Sequence, residues 1–306
     1  MMLMEKLCQK ALVSIVIPCY NPSCIRNSLN SIQCQTYTHW EVICVDDCSD
    51  IDVFSEISSF QDDRIKYYRL DKKSNANVAR NYGITYSHGD YIAMLDADDE
   101  WLPTHLERSL ELLHGASVDG VYGSLILRNK NSDNIFVTRN IGKNESVIDF
   151  LLSTGYGAQT STLVMTSESV KNTMWNEKLN RHQDYDFVVR FCRKYRMVSD
   201  LEATVVYRIS DSFHKIDFNS CISFIQTVED EISPVVYMSY HRHMLYLALA
   251  NKASDGVVCH YRKAATFYEY LLSLNDYLSL LNPQSRCIAC FYKFKYLWNI
   301  LFTSIK

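Results

Sequence analysis

Apolar residues in the first third of the chain fall into short runs alternating with helical stripes. Residues 13–18 (VSIVIP) form a β-branched run closed by Pro18, which reads as a buried strand. After a turn and cap signal at Asn21-Pro22, Ile25, Leu29 and Ile32 recur at helical spacing. Residues 41–45 (EVICV) make a second buried run ending at Asp46 and Asp47, and 64–70 (RIKYYRL) a third, more polar one. SNANVARNYGITYSHG then places Ala79, Tyr82, Gly83 and Tyr86 on a helix ending at Gly89. Residues 90–95 (DYIAML) are the fourth strand, and PTHLERSLELLHG predicts a helix with Pro103 in its first turn and Gly115 at its stop.

Strand–helix alternation of this kind predicts an α/β fold with a mostly parallel central sheet and right-handed crossovers. Ligands on such sheets bind beyond the carboxyl ends of the strands. Pro18 to Asn21, Asp46 to Asp47 and Asp96 to Asp99 all lie just past predicted strand ends. From residue 118 the pattern changes to the strand candidates VDGVYGSLIL, NIFVTR, STLVMTS and ATVVYRI, with a helix opened by HQDYDFVVRFCRKY. Beyond Ser212 it is helical to the end, and a composition shift near 215 marks the boundary.

Composition narrows the class. A chain of 306 residues accommodates one large α/β domain with an appendage, or two modest domains. The 47% apolar and 22% charged residues, with only 9 Gly and 5 Pro, argue against long disorder. A formal charge of −4 argues against a nucleic-acid binder, which needs a basic footprint. Glu5, Lys6 and Lys10 interrupt the stretch where a signal peptide would be apolar, so the 11 cysteines are expected in a reducing, cytoplasmic compartment as small core residues. Cys287-x-x-Cys290 lacks a second pair, so no zinc site is expected there.

YIAMLDADDEW (91–101) drops Asp96, Asp98, Asp99 and Glu100 onto the end of an apolar run. Carboxylates this close repel one another, so a cation neutralises them or some titrate upward. D-x-D spacing suits Mg²⁺ or Mn²⁺, which takes one or two carboxylates while substrate phosphates complete its shell. The alternatives are a solvated acidic turn favouring the next helix dipole, and a dehalogenase-type phosphatase nucleophile, against which Glu100 counts.

In this order and spacing, SIVIPCYN, VICVDDCSD, ANVARNYGI and DYIAMLDADDEW resemble the family 2 glycosyltransferases with the GT-A fold, through about residues 11–212. The resemblance implies a Rossmann-like GT-A catalytic domain over 1–215, with 11–115 the nucleotide-binding half and 116–215 the acceptor-binding half, and an all-α extension over 216–306. It departs from the family where Cys48 follows the paired Asp, usually a Gly or Ser-like position, and where the acid motif is extended to D-x-D-D, as in a subgroup similar to bacterial O-antigen and capsule transferases.

By that resemblance Pro18, Tyr20 and Asn21 line the nucleobase of a UDP-sugar donor and Asp47 accepts the uracil imide proton. A carboxylate suits that proton, which uracil has and cytosine lacks, and an aromatic stacks on a base. Arg80 neutralises the diphosphate or orders the donor loop; Asp96 contacts the ribose or the metal through water; Asp98 binds Mn²⁺ or Mg²⁺ directly. Ala97 lies between them against the nucleotide sugar, Asp99 positions the donor sugar or a metal-bound water, and Arg208 or Ser210 borders the diphosphate. Taken alone, Tyr20 also reads as a core aromatic and Arg80 as a surface arginine.

Inverting transfer needs a carboxylate to accept the acceptor hydroxyl's proton. Family members usually carry Glu-Asp at a downstream helix start, and RHQDYDFVVR resembles this with Gln183 in place of Glu, making Asp184 the base. Asp184 also reads as a helix-start acid paired with Arg181, and Asp186 competes for the role. Residues 287–306 (CIACFYKFKYLWNILFTSIK) read as an interfacial helix on an inner-leaflet membrane surface, or as a terminal helix packed on the core. The expected acceptor is a saccharide, in particular a polyprenyl-diphosphate-linked one. Rival readings are a nucleotidyltransferase or other UDP-sugar enzyme, and a catalytically silent nucleotide-binding scaffold at the membrane.

Overall fold

The computed structural model describes residues 11–155, 157–209 and 216–266. Val13–Cys19 (β1) is buried along its whole length, as a continuous apolar run between two parallel neighbours requires. Trp40–Asp46 (β2) and Tyr91–Met94 (β4) flank it in parallel register, and Ile65–Arg69 (β3) pairs outside β2. The chain steps outward from β1 to β3 and then returns across β1 to β4, so strand order reverses between β1 and β4. A crevice opens at the carboxyl ends of the strands at such a reversal.

The crossovers are Ile25–Gln33 (α1), Val53–Ser58 (α2) and Ala76–Thr85 (α3). Ile25, Leu29 and Ile32 supply the buried stripe of α1, as their spacing predicts. The Asn21-Pro22 signal does not start that helix: Asn21 is left-handed (φ 45°) and the cap position falls on Cys24. α3 lies close on the sheet because Gly83 has no side chain; a Cβ there would sit 2.5 Å from Val16 Cγ1. It stops at Thr85 rather than at Gly89, with Tyr86 as its cap, and Gly89 instead packs at the start of β1, where a Cβ would meet Leu12 O at 2.6 Å and Ser14 N at 2.7 Å.

Glu100–Trp101 (β5) and His105–Ala116 (α4) follow β4. Gly115 lies inside α4, and Ser117, at φ 50°, makes the left-handed exit. Gly120–Arg128 (β6), Asp133–Phe136 (β7), Val164–Thr166 (β8) and Met197–Arg208 (β9) extend the sheet to the order β3-β2-β1-β4-β8-β6-β9-β5, with β7 on β6. The expected mostly parallel sheet is mixed. β8 runs antiparallel to β4 and β6, β7 to β6 and β5 to β9, while β6 and β9 are parallel. Antiparallel neighbours need no crossover helix, so β8, only 3 residues long, enters from a 3₁₀ turn at Thr160–Thr162.

Two compact units divide the chain. The sheet lies in the first, with Ser167–Thr173 (numbered α6) and Gln183–Cys192 (α7). The second comprises Phe218–Gln226 (α8), Pro234–Ala250 (α9) and Asp255–Thr266 (α10), helical as expected beyond 216, together with Val147–Thr154 (α5), which the sequence reading places in the 116–215 half. Its core includes Cys221, Phe224, Met244 and Tyr261, and Asp149 of α5 accepts the amide of Ser233 at the start of α9 at 2.9 Å. Among the described residues no helix is long and apolar enough to cross a membrane. Cys8, Ser210, Cys287, Cys290 and the 287–306 segment lie outside the described residues.

Candidate active site

At the carboxyl end of β2 the two adjacent aspartates do different work. Asp46 is fully buried and committed: Oδ2 accepts Tyr67 Oη at 2.8 Å and Arg69 Nη1 at 2.7 Å, and Oδ1 accepts the Ser49 amide at 2.8 Å. Asp47 faces the other way. Its Oδ1 accepts the Ser74 amide at 2.7 Å, and its Oδ2 has no hydrogen-bond partner among the described residues. Burial raises the Asp47 carboxyl, against the Ser74 amide and Lys73, which lower it.

Asn21 staples this loop to β1, donating Nδ2 to Asp50 at 3.0 Å and accepting the Asp50 amide at 2.8 Å. Tyr20 is 38% exposed rather than a core aromatic; its hydroxyl donates to Asp50 at 3.0 Å and Lys73 Nζ stands 3.5 Å from its ring centroid. Those two bonds, first from Asn21 and then from Tyr20, hold the Asp50 carboxyl below its ordinary range. Pro18 is buried in β1. Cys48, at φ 63°, occupies the left-handed conformation that favours glycine.

At the end of β4 the acids separate by environment. Asp98 is exposed and Asp96 half-buried, while Asp99 is 1% exposed and Ala97 is buried beside it. Asp99 accepts Ser161 Oγ at 2.6 Å and the Arg208 amide at 3.0 Å. Burial first, then the charges of Asp96 and Asp98, push its carboxyl up to about 8. The Arg208 guanidinium pairs with Glu100. Asp99 and Glu100 are therefore bound inside the fold, and the solvated helix-capping turn is not what forms; Thr104 holds the cap position of α4.

Arg80 joins this end to the next element. It is 5% exposed, no surface arginine, and gives Nη2 to Asp96 at 2.7 Å and Nη1 to Asn77 at 3.0 Å and Gln183 at 2.8 Å. Its guanidinium carbon lies 4.5 Å from the Trp175 ring, which stacks on Phe187 of α7 at 4.5 Å. Asparagines of the same segment grip the loop before α7. Asn77 donates to Asn176 O and Leu179 O, Asn81 to Trp175 O, and Asn75 to Glu177 O, at 2.7–3.1 Å.

Asp184, in the first turn of α7, accepts the Tyr185 amide at 3.0 Å. Burial raises its carboxyl, and the Tyr185 amide, Arg80 and Arg181 oppose the rise. Asp186 is buried and bound to Arg190 at 2.7 Å, and Arg190 also donates to Thr173 O and Met174 O. Its carboxylate anchors the helix to the preceding loop.

No three His, Cys, Asp or Glu side chains converge as a cation cage among the described residues. Asp96 and Asp98 remain as oxygen donors, two carboxylates being what Mg²⁺ or Mn²⁺ takes from a protein when substrate oxygens fill the remaining positions. The pair suits a cation that arrives with a diphosphate. Ser161, Arg69 and the asparagines of α3 are the site residues that sequence reasoning misses. Asn77 and Asn81 inside the helix, behind Asn75 at its cap, were the available signal, since asparagine is a poor helix former in a helix interior.

The glycosyl transferase family 2 profile matches residues 14–193. The amylovoran biosynthesis glycosyltransferase AmsB of Erwinia amylovora is 33% identical over 188 residues, 58% of this chain and 62% of that protein. WfgD of Escherichia coli, a UDP-Glc:alpha-D-GlcNAc-diphosphoundecaprenol beta-1,3-glucosyltransferase, is 35% identical over 122 residues, 40% of this chain and 48% of that protein. The matched segments thus span less than two thirds of either relative's length. S. aureus TarS 1-349, solved with UDP-GlcNAc, superposes with a TM-score of 0.58 over 92% of this chain and 87% of that one at 14% identity, which establishes the shared GT-A fold. With its ordered strand-end motifs, its mixed α/β sheet and a family profile covering more than half its length, the chain belongs to glycosyl transferase family 2.

Proposed function

We propose that the chain is a metal-dependent inverting glycosyltransferase that moves a hexose or N-acetylhexosamine from a UDP-sugar to a saccharide on a polyprenyl diphosphate, in the assembly of a bacterial surface polysaccharide such as O-antigen or capsule. The observation that carries this reading is the meeting, around one strand-order reversal, of Asp47 with an oxygen to spare, the Asp96 and Asp98 pair, and a helix bearing Asp184 tethered through Arg80. Asp47 accepts the uracil imide proton, Pro18 and Tyr20 border the base, and Asn21 keeps that loop in place. Asp98 and Asp96 hold Mn²⁺ or Mg²⁺; when bound, the cation offsets the charge on the departing diphosphate. Arg208 borders the diphosphate.

Asp184 takes the proton of the acceptor hydroxyl as that oxygen attacks the anomeric carbon, so an α-linked donor yields a β-linked product. Burial makes its carboxylate more basic than an exposed one, which suits a general base near neutral pH. Arg80 orders the site, its charge being already matched by Asp96. The printed activity of WfgD, glucosyl transfer to a diphosphoundecaprenol-linked sugar with a beta-1,3 bond, supports the lipid-linked acceptor and the stereochemistry. The UDP-GlcNAc complex of TarS supports the donor nucleotide. Such an acceptor would bring the chain to the cytoplasmic face of the inner membrane.

The test is UDP release from a panel of UDP-sugars, with Mn²⁺ or chelator, in the presence of a synthetic lipid-diphosphate-GlcNAc or -GalNAc acceptor. Chelator-sensitive UDP release that tracks a mass-shifted acceptor is expected. Pyrophosphate release from a nucleoside triphosphate, or donor binding with no turnover on any acceptor, would overturn the reading.

A further inference from the structure

Asp96 lies just past β4 and Asp184 lies in the first turn of α7, and one side chain spans the interval between these elements: Arg80 gives Nη2 to Asp96 and Nη1 to Gln183. We infer that Gln183 is a positioning residue whose amide oxygen, acting through Arg80, sets where Asp184 stands relative to Asp96. This rests on Asp184 being the base.

Both ends of the Gln183 amide are used. Oε1 accepts Arg80 Nη1 at 2.8 Å and Nε2 donates to Asn180 O at 3.0 Å, so a flipped amide would lose both bonds and set its NH₂ against a guanidinium. Arg80 in turn cannot drift. It is buried, held by Asn77 Oδ1, and laid on Trp175, whose ring also stacks on Phe187 of the helix that carries Asp184. The loop between Trp175 and Leu179 is pinned by Asn75, Asn77 and Asn81, so the start of α7 is located from α3.

Charge explains why an amide serves here. Asp96 is the one carboxylate in an ion pair with Arg80 among the described residues, and a neutral partner at 183 adds no second carboxylate to that pair. A carboxylate at 183 would supply the same acceptor geometry while competing with Asp96 for one positive charge.

The experiment compares kcat, donor KM and thermal stability of wild type, Gln183→Leu and Gln183→Glu. Gln183→Leu should lower kcat by ~10–100-fold, the scale of a small misplacement of a catalytic group. Its donor KM should stay within ~2-fold, because the interaction lost is not made with the donor. Gln183→Glu restores an acceptor to Arg80 and should recover most of the loss. Gln183→Met, of similar length, stands in if the leucine variant does not fold. Wild-type kcat in Gln183→Leu, a loss confined to donor KM, or a glutamate variant no faster than the leucine one overturns the positioning role. Absence of transfer by the wild type on every acceptor instead overturns the reading of Asp184 as base, and the inference with it.

Discussion

Ser161 donates its hydroxyl to Asp99 at 2.6 Å while accepting the Asp96 amide at 3.1 Å. One serine from the turn before β8 thus fixes both ends of the D-x-D-D step, with Asp99 on the buried side and Asp98 facing solvent.

Burial and its acidic neighbours push Asp99 up to about 8 from an ordinary 3.8. Because the folded value lies above the unfolded one, ionisation opposes folding. The penalty is absent below pH about 4, grows as pH rises, and is complete above about 8. Melting curves in chelator should therefore show wild type losing stability relative to Asp99→Asn across that window. A difference between the two that does not change with pH would contradict a buried, upward-shifted Asp99.

Asp98 and Asp184 should fail in different ways. Asp98 is exposed at the end of β4, so Asp98→Ala should abolish metal-dependent UDP binding by calorimetry. Asp184→Asn keeps the size and the acceptor oxygen of the side chain but cannot take a proton. It should bind donor as wild type does and lose kcat by roughly three orders of magnitude or more. Equal loss of UDP affinity in both variants would refute the division of roles.

Much of this arrangement is legible in the sequence, for a physical reason. β1, β2 and β4 are buried between neighbours and so read as mainly apolar runs, with Ser14 and Glu41 near their starts, and the acids that close β2 and β4 stand at the carboxyl ends. Asp47, Asp96 and Asp98 are visible on that ground alone. The asparagine clamp is not, because Asn77 and Asn81 bond to carbonyls 94 to 102 residues further on, and no local period records such pairings. Ser161 is hidden likewise. The mixed character of the sheet escapes because β8 is 3 residues long and β5 only 2, too short for any periodicity to show direction. The assignment of Asp46 and Asp47 to separate tasks follows from which way each side chain turns at a strand end.

Asp46 is expected to matter for stability before chemistry. It is fully buried and is the shared acceptor of Tyr67, Arg69 and the Ser49 amide. Asp46→Ala leaves a hydroxyl and an amide without their acceptor and removes a buried partner from Arg69. The expected loss is about 1–3 kcal/mol in urea unfolding, the cost of leaving a buried donor without its acceptor, because Arg69 is 44% exposed and water takes up its charge. UDP affinity should fall as well, since the same loop carries Asp47. Unchanged stability with reduced affinity would mean that Asp46 acts on the ligand instead.

Cys48 offers the opposite test, a substitution that should stabilise. Its φ of 63° places a residue with a Cβ in the left-handed region, which costs an L-residue roughly 1–2 kcal/mol. Glycine adopts that conformation freely but adds unfolded-state entropy, which returns part of the gain. Cys48→Gly also gives up the 3.8 Å contact from Arg69 Nη2 to Sγ. The net expectation is a gain of up to about 1 kcal/mol, or roughly 2–4 °C in melting temperature for a domain of this size. Donor affinity should not change, because the loop stays pinned on both sides of residue 48: the Asp47 amide donates to Cys19 O before it, and after it Asp46 holds the Ser49 amide and Asn21 holds Asp50. A lower melting temperature in Cys48→Gly would show that the thiol packing outweighs the backbone strain, and a loss of UDP binding would show that the loop depends on the cysteine for its shape.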